Sequence, residues 1–148
     1  MVSSSLTSAG ALVYCTSTQR YLFLLRNGSK YAGMWGLVGG KLQRNESVID
    51  GLHREIQEEL GHVEMSRIIP LEKYVSDNDK FVYHTFLAIV EQEFVPTLNE
   101  EHRGYCWCSL NDIPKPQHPG LWNTFNLDSV AEKLATVENT LSSVQAVL

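Results

Sequence analysis

Cysteine is scarce in this chain: three in 148 residues, at positions 15, 106 and 108, with no C-x-x-C pair. An odd set without metal-ligand spacing excludes a disulfide scaffold and suits small buried hydrophobes in a reducing compartment. Cys106 and Cys108 stand two apart in what reads as a strand, so both thiols face one side; a zinc site is the lesser alternative. Long apolar runs are missing as well, and none approaches the roughly 18 residues of a membrane helix. The opening residues, MVSSSLTSAG, lack the basic and apolar regions of a secretory leader. A soluble, cytoplasmic protein is therefore expected, with no membrane partner. Positive charge is in deficit: 12 Lys and Arg stand against 17 Asp and Glu, for a formal charge of -5. No overall basic field exists to draw the chain onto duplex nucleic acid. An anionic ligand has to be captured by local cations or by a bound metal.

What is present is an ordinary globular balance, 43% hydrophobic and 20% charged, in a chain of single-domain length with no repeat and no linker. The runs Ala9 to Cys15 and Tyr21 to Leu25, split by a polar stretch, predict a strand, a turn and a strand. The segment WGLVGGK predicts a short strand ending at Gly39-Gly40. Val48, Ile49, Leu52, Ile56 and Leu60 recur at helical spacing. Asn45 or Ser47 is placed to cap that helix at its start and Gly61 at its end. Gly51, inside it, costs about 1 kcal/mol against Ala and predicts close packing against a strand. Ile68 to Val75, Phe81 to Val90 and Tyr105 to Ser109 predict further strands, with Pro96 to Gly104 a polar loop. Residues 113 to 120 hold too much proline for regular structure, and Leu127 to Val147 predicts a closing helix whose apolar stripe runs from Val130 to Val144. The order predicts an α/β fold with a mixed sheet between helical layers.

The helix carries the most informative pattern. Glu55, Glu58 and Glu59 stand at i, i+3 and i+4 and share one face. Like charges so placed repel by a few tenths of a kcal/mol per pair. A hard divalent cation reverses the sign of that repulsion, and magnesium, which takes oxygen ligands and keeps several waters, fits carboxylates on one helical face.

From Gly40 onward the sequence resembles the Nudix box, G-x5-E-x7-R-E-U-x-E-E-x-G-U, where U is bulky and aliphatic. Here it reads Gly40, Glu46, Arg54-Glu55-Ile56, Glu58-Glu59 and Gly61, at those spacings. His62 stands where an aliphatic residue is usual, Gly51 replaces a common alanine, and Val38 sits where proline often precedes the glycines. No departure removes a carboxylate or the arginine. The resemblance implies the Nudix α/β/α sandwich with its loop–helix–loop catalytic motif, in one domain spanning 1–148. It implies a metal site of Glu55, Glu58 and Glu59, joined by the Gly39 carbonyl, holding Mg2+ or Mn2+. It implies a Glu46–Arg54 pair that fixes the loop on the helix, and hydrolysis of a nucleoside diphosphate linked to a group X. The general base is then a box glutamate (Glu55 or Glu58) or one on a later loop, where Glu101 is preferred to Glu100.

Outside the box, Lys41 and Arg103 are candidates for phosphate, and Tyr31 and Trp35 for stacking on a base, with core packing the equal alternative for Trp35. Phe81, Tyr83 and Phe86 are expected to pack in the core, and His84 and His102 to be structural or to approach phosphate. The chain is similar to small bacterial and bacteriophage Nudix proteins, which implies host cytoplasm if phage-encoded. Such relatives suggest ADP-linked substrates: ADP-ribose, dinucleoside polyphosphates, FAD or NADH. The alternatives are ordinary or oxidised nucleoside triphosphates, removal of a nucleotide cap from RNA, and a non-catalytic nucleotide-sensing module. Many relatives are dimers, so a homodimer is also an expectation.

Overall fold

The computed structural model describes residues 6–28 and 30–147, with side chains described to position 141. Residues 1–5 of the opening segment and the side chain of Val144 lie outside the described residues. The strands are β1 (Leu6–Cys15), β2 (Arg20–Arg26), β3 (Trp35–Gly36), β4 (Val38–Lys41), β5 (Arg67–Val75), β6 (Phe81–Val90) and β7 (His102–Cys108). The α-helices are α1 (Val48–Leu60), α2 (Pro119–Phe125) and α3 (Asp128–Val147).

β1 is the organising strand. It is buried from Ser8 to Cys15, as an apolar run with partners on both edges must be. It pairs with β6 in parallel on one edge, and with β2 and β4 antiparallel on the other. β3 and β7 extend the sheet beyond β2, and β5 closes it beyond β6, so the sheet is mixed. On one face Ala9, Ala11, Val13, Phe86 and Ala88 pack with Leu52, Ile56 and Leu60 of α1. On the other, Leu12, Tyr14, Phe23 and Leu87 pack with Leu121 of α2 and Val130 and Leu134 of α3. This is the expected α/β/α sandwich. Tyr21 ties α3 down by donating its hydroxyl to Glu138 at 2.6 Å.

Of the two candidates for the cap at the start of α1 one is found, and several other local expectations are corrected. Ser47 is the cap of α1: its Oγ accepts from the Asp50 N–H at 3.1 Å. Ile49 is 43% exposed and lies off the buried stripe. The nearest neighbours of Gly51 are in a loop and not on a strand: a methyl there would fall on Leu42 and reach 3.0 Å from Glu46 Oε1, both in the loop leading into α1. β7 begins at His102, not Tyr105, because His102 still pairs with Arg26 beyond an irregularity in the ladder. The proline-rich stretch ends in a helix, since Pro119 occupies the first turn of α2, where a missing N–H costs nothing. Cys106 and Cys108 pack at the edge of the α3-side core as free thiols, and no metal cluster among the described residues includes them. No described helix is long and apolar enough to cross a membrane.

Gly39 has φ 153, and a Cβ there would strike the Ala9 carbonyl and come within 2.6 Å of Gly10 Cα. Since backbone cannot step aside as a side-chain tip can, Gly39→Ala is expected to cost at least about 2 kcal/mol. Urea unfolding checks this; an unchanged midpoint would contradict the packing.

Candidate active site

β4 and α1 meet edge to face, and the glycines set how closely. A Cβ on Gly40 would lie 2.7 Å from the Glu55 carboxylate, so only glycine lets that side chain lie across the strand. Glu55 and Glu59 are buried on this inner side of α1, whereas the Glu58 side chain is 49% exposed. The extension of β7 brings Glu101 to the same place. Glu55, Glu59 and Glu101 each offer an oxygen within 4.8 Å of the other two.

Arg54 is the hub of the outer side. Its Nε and Nη2 grip Glu46 at 2.7 and 3.0 Å, a two-toothed fork. Nη2 also donates to the Lys41 carbonyl at 3.0 Å, while Nη1 reaches Glu55 at 3.0 Å and Glu58 at 3.2 Å. Hydrogen bonding to Arg54, helped by the Gln43 N–H, holds the Glu46 carboxyl down at about 2. Arg54 thus ties the loop, the helix and two glutamates together. Its donors are committed to these partners, and the loop it fixes leads from β4 into α1.

Glu59 is fully buried. Its Oε1 accepts a 3.3 Å bond from the Gly39 N–H, and its Oε2 has no partner among the described residues. Burial, reinforced by Glu55 and Glu101 beside it, pushes its carboxyl far above the usual range. His102 gives no relief: burial, then Arg26, lower it to about 4, so the ring is neutral. Its Nδ1 lies 3.6 Å from Glu59 Oε1, too far for a hydrogen bond, and neither ring nitrogen has a partner among the described residues. Three convergent carboxyls, one orphaned oxygen and a cradle only glycine permits offer the oxygen-rich surroundings a hard divalent cation requires. The residues present fit such an ion.

These carboxylates stand at one end of a cleft of about 720 Å³. Arg26, Lys30 and Lys41 supply cations along it, and Tyr74, Phe81 and Tyr83 supply rings from β5 and β6. Gly39, Lys41, Glu55 and Glu101, singled out from sequence, all line the cleft, as do Glu59 and His102. Glu46, Arg54 and Glu58 sit behind it in the Arg54 network. Five others lie off the cleft lining. Trp35 is half-buried against the α3-side core. Tyr31 is 4.4 Å edge-on to His118, which does line the cleft. Arg103 and Glu100 are exposed. His84 faces away on β6, its pKa lowered by burial and then by Lys73. Sequence reasoning missed Arg26, Lys30, Glu72, Tyr74 and His118. The only signal for the cations was their place just ahead of the box.

The NUDIX domain family model matches residues 6–127. The chain is 29% identical over 94 residues to nucleoside triphosphatase NudI of Escherichia fergusonii, a stretch covering 56% of this chain and 67% of that one. Among solved structures, the NUDIX domain of Shewanella oneidensis NrtR complexed with ADP ribose superposes with a TM-score of 0.73 at 18% identity, covering 90% of each chain. The MutT protein of Methanosarcina mazei Go1 gives a TM-score of 0.65 at 26% identity, covering 92% of this chain and 96% of that one.

A buried carboxyl raised from 4.5 holds a proton that the unfolded chain has released. Metal-free stability should then fall as pH rises above 4.5, until the folded group itself ionises. Thermal melts from pH 5.5 to 8.5 are expected to show this decline, a flatter profile for Glu59→Gln, and stabilisation by Mg2+ that grows with pH as metal replaces the proton. Equal pH slopes for wild type and Glu59→Gln would contradict the assignment.

Proposed function

The chain belongs to the NUDIX family, whose members are pyrophosphohydrolases, and from that premise we propose that it cleaves the diphosphate bond of a nucleoside diphosphate linked to a group X, releasing a nucleoside monophosphate. The observation that carries this is the meeting of Glu55, Glu59 and Glu101 at one end of a cleft lined by Arg26, Lys30 and Lys41. A phosphate chain held by those cations lies against the carboxylates.

Nudix hydrolases generally use divalent metal ions, and Mg2+ or Mn2+ would be held here by Glu55, Glu59 and the Gly39 carbonyl, with Glu101 beside them. Glu58, which the Nudix box implies as a further ligand, bonds to Arg54 at 3.2 Å and would have to leave that contact to join them. When bound, such an ion polarises a phosphoryl oxygen, offsets developing charge and lowers the pKa of the attacking water. Glu101, exposed to the cleft and within 4.8 Å of the other carboxylates, takes the water's proton. Arg54 holds Glu55 and the loop in register, and Lys41 meets phosphate from the end of β4.

Two observations bear on X. The nucleoside triphosphatase relatives support phosphate. Rings on opposite walls, Tyr74, Phe81 and Tyr83 on one and His118 backed by Tyr31 on the other, support an X carrying a second ring, as in the ADP-linked compounds expected from sequence.

A panel of ADP-ribose, Ap3A, FAD, NADH, dGTP and 8-oxo-dGTP, each with and without Mg2+ or Mn2+, tests the reading. Turnover of at least one compound, only with metal, is expected, with a nucleoside monophosphate among the products. Glu101→Gln is expected to lower kcat about 10²- to 10⁴-fold without moving the melting temperature. A panel with no turnover at any metal concentration overturns the enzymatic reading and leaves a nucleotide-sensing module.

A further inference from the structure

Glu72 is an acid in the ring-lined part of the cleft, away from the metal-binding carboxylates. β5 pairs with β6, β6 with β1 and β1 with β4, so three strand spacings, roughly 14 Å, separate it from Gly40 and the Glu55 carboxylate.

A β-bulge aims it there. Ile69 pairs with Leu87 and Pro70 with Phe86, but the next pair is Glu72 with Thr85. Leu71 is the extra residue. In simple alternation Glu72 would share the α1-side face with Ile68; the inserted residue turns it to the face of Thr85 and Tyr83, into the cleft. Bulges re-aim side chains in this way beside functional sites. The side chain is then fixed in place. The buried Thr124 hydroxyl, on α2, donates to Glu72 Oε1 at 2.8 Å. No described residue bonds to Oε2. On the same face Tyr74 and Phe81 lie 6.2 Å apart, as do Phe81 and Tyr83, giving a run of rings around the carboxylate.

A carboxylate accepts at both oxygens and donates at neither. A base edge that meets it squarely must offer two adjacent donors. Guanine does, through N1–H and its 2-amino group. Adenine and cytosine present a ring acceptor beside their amino group, which the carboxylate repels, and uracil and thymine flank one N–H with two carbonyls. We propose that Glu72, held by Thr124, selects a guanine-type base, oxidised or not, while the rings of β5 and β6 stack on it. This rests on the pyrophosphohydrolase reading and departs from the ADP-linked expectation in the base alone, leaving X open.

Calorimetric binding of GMP and AMP in Mg2+ buffer, beside kcat/KM for GTP and ATP, tests it. Wild type is expected to favour the guanine member of each pair by roughly 10-fold or more. Glu72→Gln keeps an oxygen for Thr124 and adds a donor, which matches adenine's N1 and amino group. The variant is therefore expected to lose or invert the preference at an unchanged melting temperature, which a merely structural role would not produce. Equal affinity for GMP and AMP, or a ratio unmoved by Glu72→Gln, overturns the proposal. Hydrolysis of GTP and ATP alike overturns it while leaving the pyrophosphohydrolase reading intact. A GMP preference lost in Glu72→Gln, without any hydrolysis, supports it and sinks that reading instead.

Discussion

A carboxylate enclosed by protein with one oxygen unpartnered is the constraint on which this structure turns. Removing such a group from water costs several kcal/mol when it is charged, and Glu59 has a single 3.3 Å bond from Gly39 to set against that. Protonation or a cation are the two ways to meet the cost. Glu55 and Glu101 stand where a cation would be shared and where a proton serves one of them only. The glycines of β4 exist for this geometry: Gly40 leaves room for the Glu55 carboxylate, and Gly39 lies against β1 where no side chain fits.

Electrostatic labour is divided across α1. Glu55 and Glu59 face inward beside the cleft, and Arg54 gathers Glu46, Glu58 and the Lys41 carbonyl on the outer side. The box therefore acts as two linked parts, an inner carboxylate cluster and an outer clamp. The clamp holds the loop after β4 at a fixed distance from the helix, so Lys41 keeps its place at the cleft.

Much of this was legible in the sequence because it is local. Helical spacing placed Leu52, Ile56 and Leu60 inward, and the motif's fixed intervals named the carboxylates, Arg54 and the flanking glycines. What was not legible depends on pairing across the chain. The length of β7 is set by its partner β2, and with it the arrival of Glu101 and His102 at the site. The orientation of Glu72 is set by a one-residue bulge against β6, which no alternation rule applied to β5 alone can foresee. Pro119 misled for the opposite reason, since proline breaks a helix interior but suits its first turn.

The proposed hydrolysis turns on whether the Glu55–Glu59–Glu101 cluster binds a divalent cation. Anomalous diffraction from crystals soaked in Mn2+ tests it most directly. A peak is expected about 2.0–2.6 Å from oxygens of Glu55 and Glu59, with Glu59 Oε2 no longer unpartnered. A peak elsewhere in the cleft, or none at full soak, with Glu59 still orphaned, would contradict it.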